Sequence, residues 1–158
     1  ACGCEPPAII RAVNGFRGIA HRIEYAGEKN GIHFYDDSKG TNVGAVMRAL
    51  ESFPQPVILL LGGRDKESDF QELVPWIRRG VKEMVLFGEA AGKINGVVGG
   101  VVPTTLAPTL KEAVGKAYRS ATPGDIVLLS PGCASFDEFK DYRERGDRFQ
   151  EWVGELST

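Results

Sequence analysis

The spacing of hydrophobic positions changes several times along the chain, and each period predicts a different element. Residues 21–37 alternate apolar and polar positions around Asn30-Gly31, which predicts a β-hairpin because Asn-Gly readily adopts left-handed turn conformations. Continuous apolar runs at 57–61, 83–88 and 125–129 predict strands that are buried on both faces. Val101-Val102 predicts one more brief strand.

Helical spacing separates these strands. Helices are predicted over residues 43–50, 70–77, 90–98, 110–121 and 137–156, and a shorter one over residues 8–13, ending at Gly15 or Gly18. Asn42 begins the first of these five, and Asp69 caps the second. Short strands that alternate with helices predict an α/β fold: a Rossmann-like, mainly parallel sheet with helices on both faces, preceded by the hairpin.

Composition narrows the class of protein. A chain of 158 residues fits one domain with a sizeable core. Its 19 Lys+Arg against 21 Asp+Glu give a net charge of −2, so electrostatic binding of nucleic acid is not expected. The longest apolar run, residues 57–61, is far shorter than the ~20 residues that a membrane helix needs. Three cysteines without a pairing pattern favour a reducing cytosol.

Three polar loops follow predicted strands, at residues 36–42, 62–66 and 130–137. Because the carboxyl ends of parallel strands meet at one edge of a sheet, we expect these loops to converge. They carry cations and hydroxyls, at Lys39, Thr41, Arg64, Lys66, Ser130 and Ser135. Such groups, together with the amides at helix starts, suit a carboxylate or phosphate. The same residue types also populate solvated loops, and this alternative stays open.

Other candidate chemistry is weaker. Asp36 and Asp37 offer carboxylates of the kind that can bind Mg²⁺ through water beside a phosphate. Neither a GxxxxGK[ST] nor a GxGxxG motif occurs in the chain, so a P-loop and a dinucleotide site are unsupported. Cys2 and Cys4 with distant Cys133 lack a fourth zinc ligand, and Cys133 is expected to be a small buried thiol. The charged run at 141–148 is expected to be a solvated helix face.

The loops, with their flanking residues, closely resemble the Mur ligases over about residues 21–156. The matching motifs are His21-Arg22, Asp37-Ser38-Lys39-Gly40-Thr41-Asn42, Leu61-Gly62-Gly63-Arg64-Asp65-Lys66, Leu129-Ser130-Pro131-Gly132-Cys133-Ala134-Ser135-Phe136-Asp137, Arg145-Gly146 and Phe149. Within the family, the Asp-Ser-Lys-x-Thr-Asn loop looks like that of members that add D-glutamate. Two mild departures are Gly40 and Gly132, where this family usually has alanine.

The resemblance implies a role for this chain within a three-domain enzyme. In the family, the first domain binds UDP, and the central one carries the ATP P-loop, the magnesium ligands and a carbamylated lysine. Residues 21–158 resemble the C-terminal, D-glutamate-binding domain, and residues 1–20 the tail of the central ATPase domain. The start at Ala1, without Met, fits a piece of a longer protein, which we expect to be inactive alone.

The family's chemistry also implies roles for single residues. ATP phosphorylates the carboxylate of UDP-MurNAc-L-alanine, and the amine of D-glutamate attacks the acyl phosphate. By resemblance, Thr41 and Lys66 hold the α-carboxylate of D-glutamate, and Ser135, with the backbone near Tyr142, holds its side-chain carboxylate. Arg22, Asp37 and Lys39 face the nucleotide phosphates, and Lys39 is the catalytic candidate. No metal ligand is assigned to this chain.

The implied partners are small molecules. They are D-glutamate in this domain, and UDP-MurNAc-L-alanine, ATP and Mg²⁺ in the full-length enzyme. A monomer in the bacterial cytoplasm is expected, without nucleic acid or membrane insertion. A folylpolyglutamate-synthase-like ligase domain and a non-catalytic anion-binding module remain as alternatives, because a fold by itself does not fix a function.

Overall fold

The computed structural model of the protein describes Pro7, Ile10 and residues 18–157, and a six-stranded sheet forms its centre. The strands are β1 (Glu24–Lys29), β2 (Ile32–Asp36), β3 (Val57–Gly62), β4 (Val81–Phe87), β5 (Thr104–Ala107) and β6 (Ile126–Gly132). Their order across the sheet is β1-β2-β6-β3-β4-β5. Neighbouring strands are parallel except for β1, which runs antiparallel to β2. This arrangement confirms the predicted fold.

Helices cover both faces of the sheet, as the alternation of elements predicts. They are α1 (Val43–Glu51), α2 (Val74–Gly80), α3 (Ala91–Val98), α4 (Leu110–Ser120) and α5 (Tyr142–Glu155), with a 3₁₀ turn (Phe70–Leu73) before α2. On one face, Leu59 and Leu61 of β3 pack with α1, α2 and α3. On the other, Ile58 and Leu60 pack with α4 and α5. The continuous apolar run of β3 therefore reflects burial on both faces.

Local signals set most element boundaries. The hairpin turns at Asn30 and Gly31, whose φ angles of 52° and 77° are the left-handed values expected there. The side chain of Asn42 caps α1 by accepting a hydrogen bond from the Ala45 amide at 2.9 Å. Asp69 caps the 3₁₀ turn, where its carboxylate accepts from the Gln71 amide at 2.9 Å. These observations confirm the predicted hairpin and both predicted caps.

Two predicted boundaries are wrong. The last strand of the sheet in spatial order lies at Thr104–Ala107, after Pro103, and not at Val101-Val102, whose side chains pack against the core instead. The final helix begins at Tyr142 and not at residue 137, because Asp141 caps it by accepting from two backbone amides at 2.9 Å.

Two further findings concern the ends and the membrane question. The helix predicted over residues 8–13 and the cysteines at positions 2 and 4 lie outside the described residues, Ile10 excepted. Among the residues that the structure describes, no helix has the length and apolarity needed to cross a membrane.

Candidate functional site

The three polar loops converge at the carboxyl edge of the sheet, because β2, β6 and β3 are neighbours there. The Gly132 amide donates to the Gly40 carbonyl at 2.9 Å, which joins the loops after β6 and β2. Arg64 and Ala134 exchange two backbone hydrogen bonds of 2.9 Å, which join the loops after β3 and β6. The predicted convergence is therefore confirmed, and backbone contacts hold the three loops in fixed relative positions.

A buried arginine, Arg145, forms hydrogen bonds to two of these loops, those after β2 and β6. The Arg145 side chain has no solvent exposure. Its Nε donates to Ser38 Oγ and its Nη2 to the Ser38 carbonyl, both at 2.9 Å, and Nη1 and Nη2 each donate to the Cys133 carbonyl at 3.1 Å. Burial lowers the pKa of this guanidinium to about 10, so it remains charged at neutral pH.

The prediction of a solvated face over residues 141–148 is therefore wrong at Arg145. This residue shares its helical face with Phe149 and Val153, which are both buried. The spacing of four residues indicates that Arg145, Phe149 and Val153 share a helical face, but the charge of Arg145 favours the interpretation that this face is solvated.

Lys39 and Tyr142 meet directly. The Lys39 ammonium donates to the Tyr142 hydroxyl at 2.9 Å and lies 4.5 Å from the centre of its ring. This hydrogen bond lowers the pKa of the Tyr142 phenol. The Ser38 hydroxyl also donates to the Tyr142 carbonyl at 2.8 Å, so the start of α5 is tied to the loop after β2. Tyr142 thus contacts the site through its side chain as well as its backbone.

Asp37 is a buried carboxylate in the same loop as Lys39. It is only 3% exposed, and Oδ2 accepts from the Ser130 hydroxyl at 2.7 Å. Burial raises the pKa of Asp37 from 3.8 to about 6, although the Ser130 hydrogen bond and the charge of Arg22 oppose the rise. A Cβ on Gly40 would collide with Oδ2, so an alanine at this position would displace the Asp37 carboxylate.

The raised pKa of Asp37 predicts a pH dependence of folding. Between about pH 4 and pH 6 the folded protein retains a proton that the unfolded chain has released. The contribution of Asp37 to the free energy of unfolding therefore falls as the pH rises through this window. Urea denaturation should show that the free energy of unfolding decreases less from pH 4.5 to pH 7 for Asp37→Asn than for the wild type. Equal decreases would contradict the raised pKa of Asp37.

Asp36, the neighbouring acid, is already engaged within the protein. Its Oδ1 accepts from the Ser38 amide at 2.8 Å, and its Oδ2 lies 2.8 Å from His21 Nδ1 and accepts from Gln150 Nε2 at 2.9 Å. His21, Glu24 and Asp36 lie close enough together to hold a cation. The Gln150 amide, however, donates to both carboxylates, and a cation would have to displace it. We therefore assign no metal to this cluster.

The remaining predicted residues lie around the same edge. Ser135 is 2% exposed and begins the turn that leads to α5, whereas Thr41 is half-buried and Lys66 and Arg22 are exposed. Within residues 18–157, no hydrogen bond joins the side chains of Thr41, Lys66 and Ser135. The two carboxylate-binding sockets therefore stay a prediction. Their residues lie on three loops whose relative positions are fixed.

Two charged residues of the loop after β3, Arg64 and Asp65, have protein partners. Arg64 forms a two-pronged ion pair with Glu89, with both hydrogen bonds at 2.8 Å. Lys93 of α3 is hydrogen-bonded to Asp65. Burial is the largest single influence and opposes the ionisation of Asp65, but the Lys93 ammonium and the hydrogen bonds from Ser68 together outweigh it and lower the pKa to about 2. Both cations of this loop are exposed, but within residues 18–157 Arg64 is paired with Glu89 and Lys66 forms no ion pair.

Cys133 has the environment of an unreactive thiol. Its side chain is 1% exposed, and burial raises its pKa to about 12. A thiol with this pKa stays protonated at neutral pH and is a poor nucleophile. The prediction of a small buried thiol is confirmed.

Comparison with known proteins assigns the family. The family model "Mur ligase, glutamate ligase domain" matches residues 21–133, which include the hairpin and the loops after β2 and β3. The chain belongs to this Mur ligase family. It is 60% identical over 153 residues to the UDP-N-acetylmuramoylalanine–D-glutamate ligase of Syntrophus aciditrophicus, and this match covers 97% of the chain and 34% of the relative.

Other relatives agree. The corresponding ligase of Chlamydia caviae is 46% identical over 151 residues, covering 96% of this chain and 36% of that protein. The chain thus spans about a third of the length of the curated relatives that it matches. Among solved structures, the UDP-N-acetylmuramate-alanine ligase of Thermotoga maritima shares the fold with a TM-score of 0.69 at 15% identity, covering 97% of this chain and 34% of that one.

Proposed function

We propose that this chain is the amino-acid-binding part of an ATP-dependent ligase that joins D-glutamate to UDP-MurNAc-L-alanine. The observation that carries the proposal is the 60% identity to the Syntrophus ligase, in an alignment covering 97% of the chain. The fixed convergence of three polar loops supports it, because a dicarboxylate needs two separated sockets for its charges. We assign residues 21–158 to this domain and residues 1–20 to the end of the preceding one.

The amino-acid side of the site is assigned to the loops after β3 and β6, with Thr41 contributed by the loop after β2. Lys66, exposed at the edge, supplies a mobile positive charge, and Thr41 supplies a hydroxyl for the α-carboxylate of D-glutamate. Ser135 lies in the loop that Arg145 fastens through the Cys133 carbonyl, so its position is constrained before any ligand binds. Ser135 and the backbone near Tyr142 would hold the side-chain carboxylate.

The phosphate side lies over β2. Lys39 and Arg22 supply positive charge that would face the phosphates of ATP, and this charge offsets the negative charge that develops during phosphoryl transfer. Bound ATP with Mg²⁺ would supply the phosphoryl group that activates the carboxylate. Asp37 fits the vicinity of a cation, since a buried carboxyl with a raised pKa is stabilised in its charged form by added positive charge. No proton acceptor for the amine is assigned.

The site is expected to act only with the rest of the enzyme. The chain spans about a third of its relatives, and closure against further domains would bring the reactants together. Because the reaction consumes ATP and a nucleotide-linked precursor, we place it in the bacterial cytoplasm, and we propose a monomer. The E. coli FolC structure with ADP has a TM-score of 0.66 at 15% identity. The fold alone therefore does not distinguish a D-glutamate-adding ligase from a folylpolyglutamate-synthase-like ligase.

A domain replacement tests the proposal. In a replacement ligase, this chain substitutes for the 153 matching residues of the Syntrophus relative. We expect it to form amide product from ATP, UDP-MurNAc-L-alanine and D-glutamate, detected by mass spectrometry and by phosphate release, and the isolated chain to form none. Product formed by the isolated chain would contradict the proposal. A folded replacement ligase that accepts no D-glutamate would also contradict it, and would favour the non-catalytic anion-binding module.

The same assay tests the carboxylate socket. Lys66→Ala should raise the KM for D-glutamate about tenfold, with a much smaller change in the KM for ATP, because the lost charge faces the amino acid. Lys82→Ala is the matched control, since Lys82 pairs with Asp125 at the opposite edge of the sheet, 2.7 Å away. Equal changes in the two KM values would remove Lys66 from the D-glutamate site.

A further inference from the structure

The backbone around Arg22 is held in an unusual conformation. His21 and Ile23, the residues on either side, have left-handed φ angles of 61° and 49°. Such angles are uncommon outside glycine, and they are outliers for a β-branched residue such as isoleucine. Backbone strain of this kind persists only where the surrounding structure enforces it. The contacts of His21 show what enforces it here.

His21 is fixed at three points, two of them on its backbone. Its amide donates to Glu24 Oε2 at 2.8 Å, and its carbonyl accepts from the Lys39 amide at 2.9 Å. Its side chain, largely buried, places Nδ1 2.8 Å from Asp36 Oδ2. The residue before Arg22 is therefore bonded directly to the backbone of Lys39, and both cations belong to the proposed phosphate side.

Helix α5 provides the rest of the enclosure. Gly146 lies against the imidazole so closely that a Cβ there would overlap Nδ1. The Gln150 amide donates to Asp36 and Glu24, the two acids that hold His21, at 2.9 and 3.2 Å. The imidazole and the Tyr142 ring are nearly perpendicular, with ring centres 6.2 Å apart, and Nε2 lies 3.7 Å from the Asp147 carboxylate. Gly146 and Gln150 of α5 thus restrict the imidazole directly and through the two acids.

We propose that His21 is a positioning residue for the ligation reaction. It holds the backbone of Arg22 and of Lys39 in one rigid unit, so that the two cations can face the same phosphate group. His21 does this through the Lys39 amide and the Asp36 carboxylate, without touching a substrate. The proposal rests on the proposed function, because ordering Arg22 and Lys39 matters for the reaction only if the two cations bind the same anion.

Kinetics of the replacement ligase test the functional part. His21→Ala should raise the KM for ATP about tenfold, with a smaller change in kcat, because the lost ordering weakens phosphate binding. His21→Asn should recover most of this, since asparagine tolerates left-handed φ and can still donate to Asp36. In an Arg22→Ala background, His21→Ala should add less than about threefold, because residues that act through one another are not additive.

Relaxation of backbone ¹⁵N nuclei in the 158-residue chain tests the structural part without any ligation. The order parameter at Arg22 should fall from about 0.85 to below about 0.6 in His21→Ala and stay high in His21→Asn. A rigid Arg22 in His21→Ala, or an equal tenfold effect in both backgrounds, would overturn the inference. An inactive unsubstituted replacement ligase would instead count against the proposed function, and the relaxation data would still decide whether His21 orders Arg22.

Discussion

Lys39→Ala in the replacement ligase is expected to lower kcat by a factor of about 10² to 10³, the usual loss when a group that stabilises developing charge is removed. The ammonium of Lys39 is half-buried and held by the Tyr142 hydroxyl at 2.9 Å, at the edge where the three loops converge. Its charge is therefore positioned before the substrates bind, and little reorganisation is needed when negative charge develops. Steady-state kinetics with saturating ATP and D-glutamate measure the effect.

Folding should be little affected by this change, because the Lys39 side chain makes one hydrogen bond and one contact with an aromatic ring. Thermal unfolding of the isolated Lys39→Ala chain should therefore match that of the wild type closely. Lys82→Ala, at the opposite edge of the sheet, should leave kcat unchanged. A Lys39→Ala enzyme that keeps a third or more of the wild-type kcat would remove Lys39 from the catalytic step.

The strand-end loops could be located from the sequence because two simple rules apply to them. Residues 57–61 are apolar at every position, which indicates a strand covered on both faces, as is typical of parallel sheets. Parallel strands bring their carboxyl ends to the same edge, so Lys39, Lys66 and Ser135 could be placed together without coordinates. The prediction of a strand at Val101-Val102 is wrong because apolarity marks these two residues, whereas the pairing with β4 begins at Thr104.

The contacts beneath the site could not be predicted in the same way. His21 and Asp36 are brought together by the hairpin register, in which Glu24 pairs with Asp36, and no local pattern states that register. Arg145 reaches Ser38, which lies 107 residues earlier in the chain. Such contacts depend on how α5 docks against the sheet, and the sequence shows only that Arg145 lies on the same helical face as Phe149. The residues proposed to bind substrate are therefore easier to predict from the sequence than the residues that hold them in place.

Arg145→Met should lower the free energy of unfolding of the isolated chain by about 3–5 kcal/mol, among the largest losses expected for a single substitution. The guanidinium donates to the carbonyls of Ser38 and Cys133 and to the Ser38 hydroxyl. Methionine fills a similar volume but donates nothing, and each buried acceptor left unsatisfied costs about 1–3 kcal/mol. Urea denaturation followed by tryptophan fluorescence measures the change.

An apolar replacement does not relieve this site as it can relieve a buried ion pair. Removing both partners of such a pair is often neutral, but here the acceptors include backbone carbonyls, which no side-chain substitution removes. Arg148→Met, one helical turn further along α5, is the matched control. Arg148 is half-exposed and pairs with Glu151 at 2.7 Å, so its loss should change stability by less than about 0.5 kcal/mol. If Arg145→Met is no more destabilising than this control, then the loops after β2 and β6 are held by their backbone contacts alone.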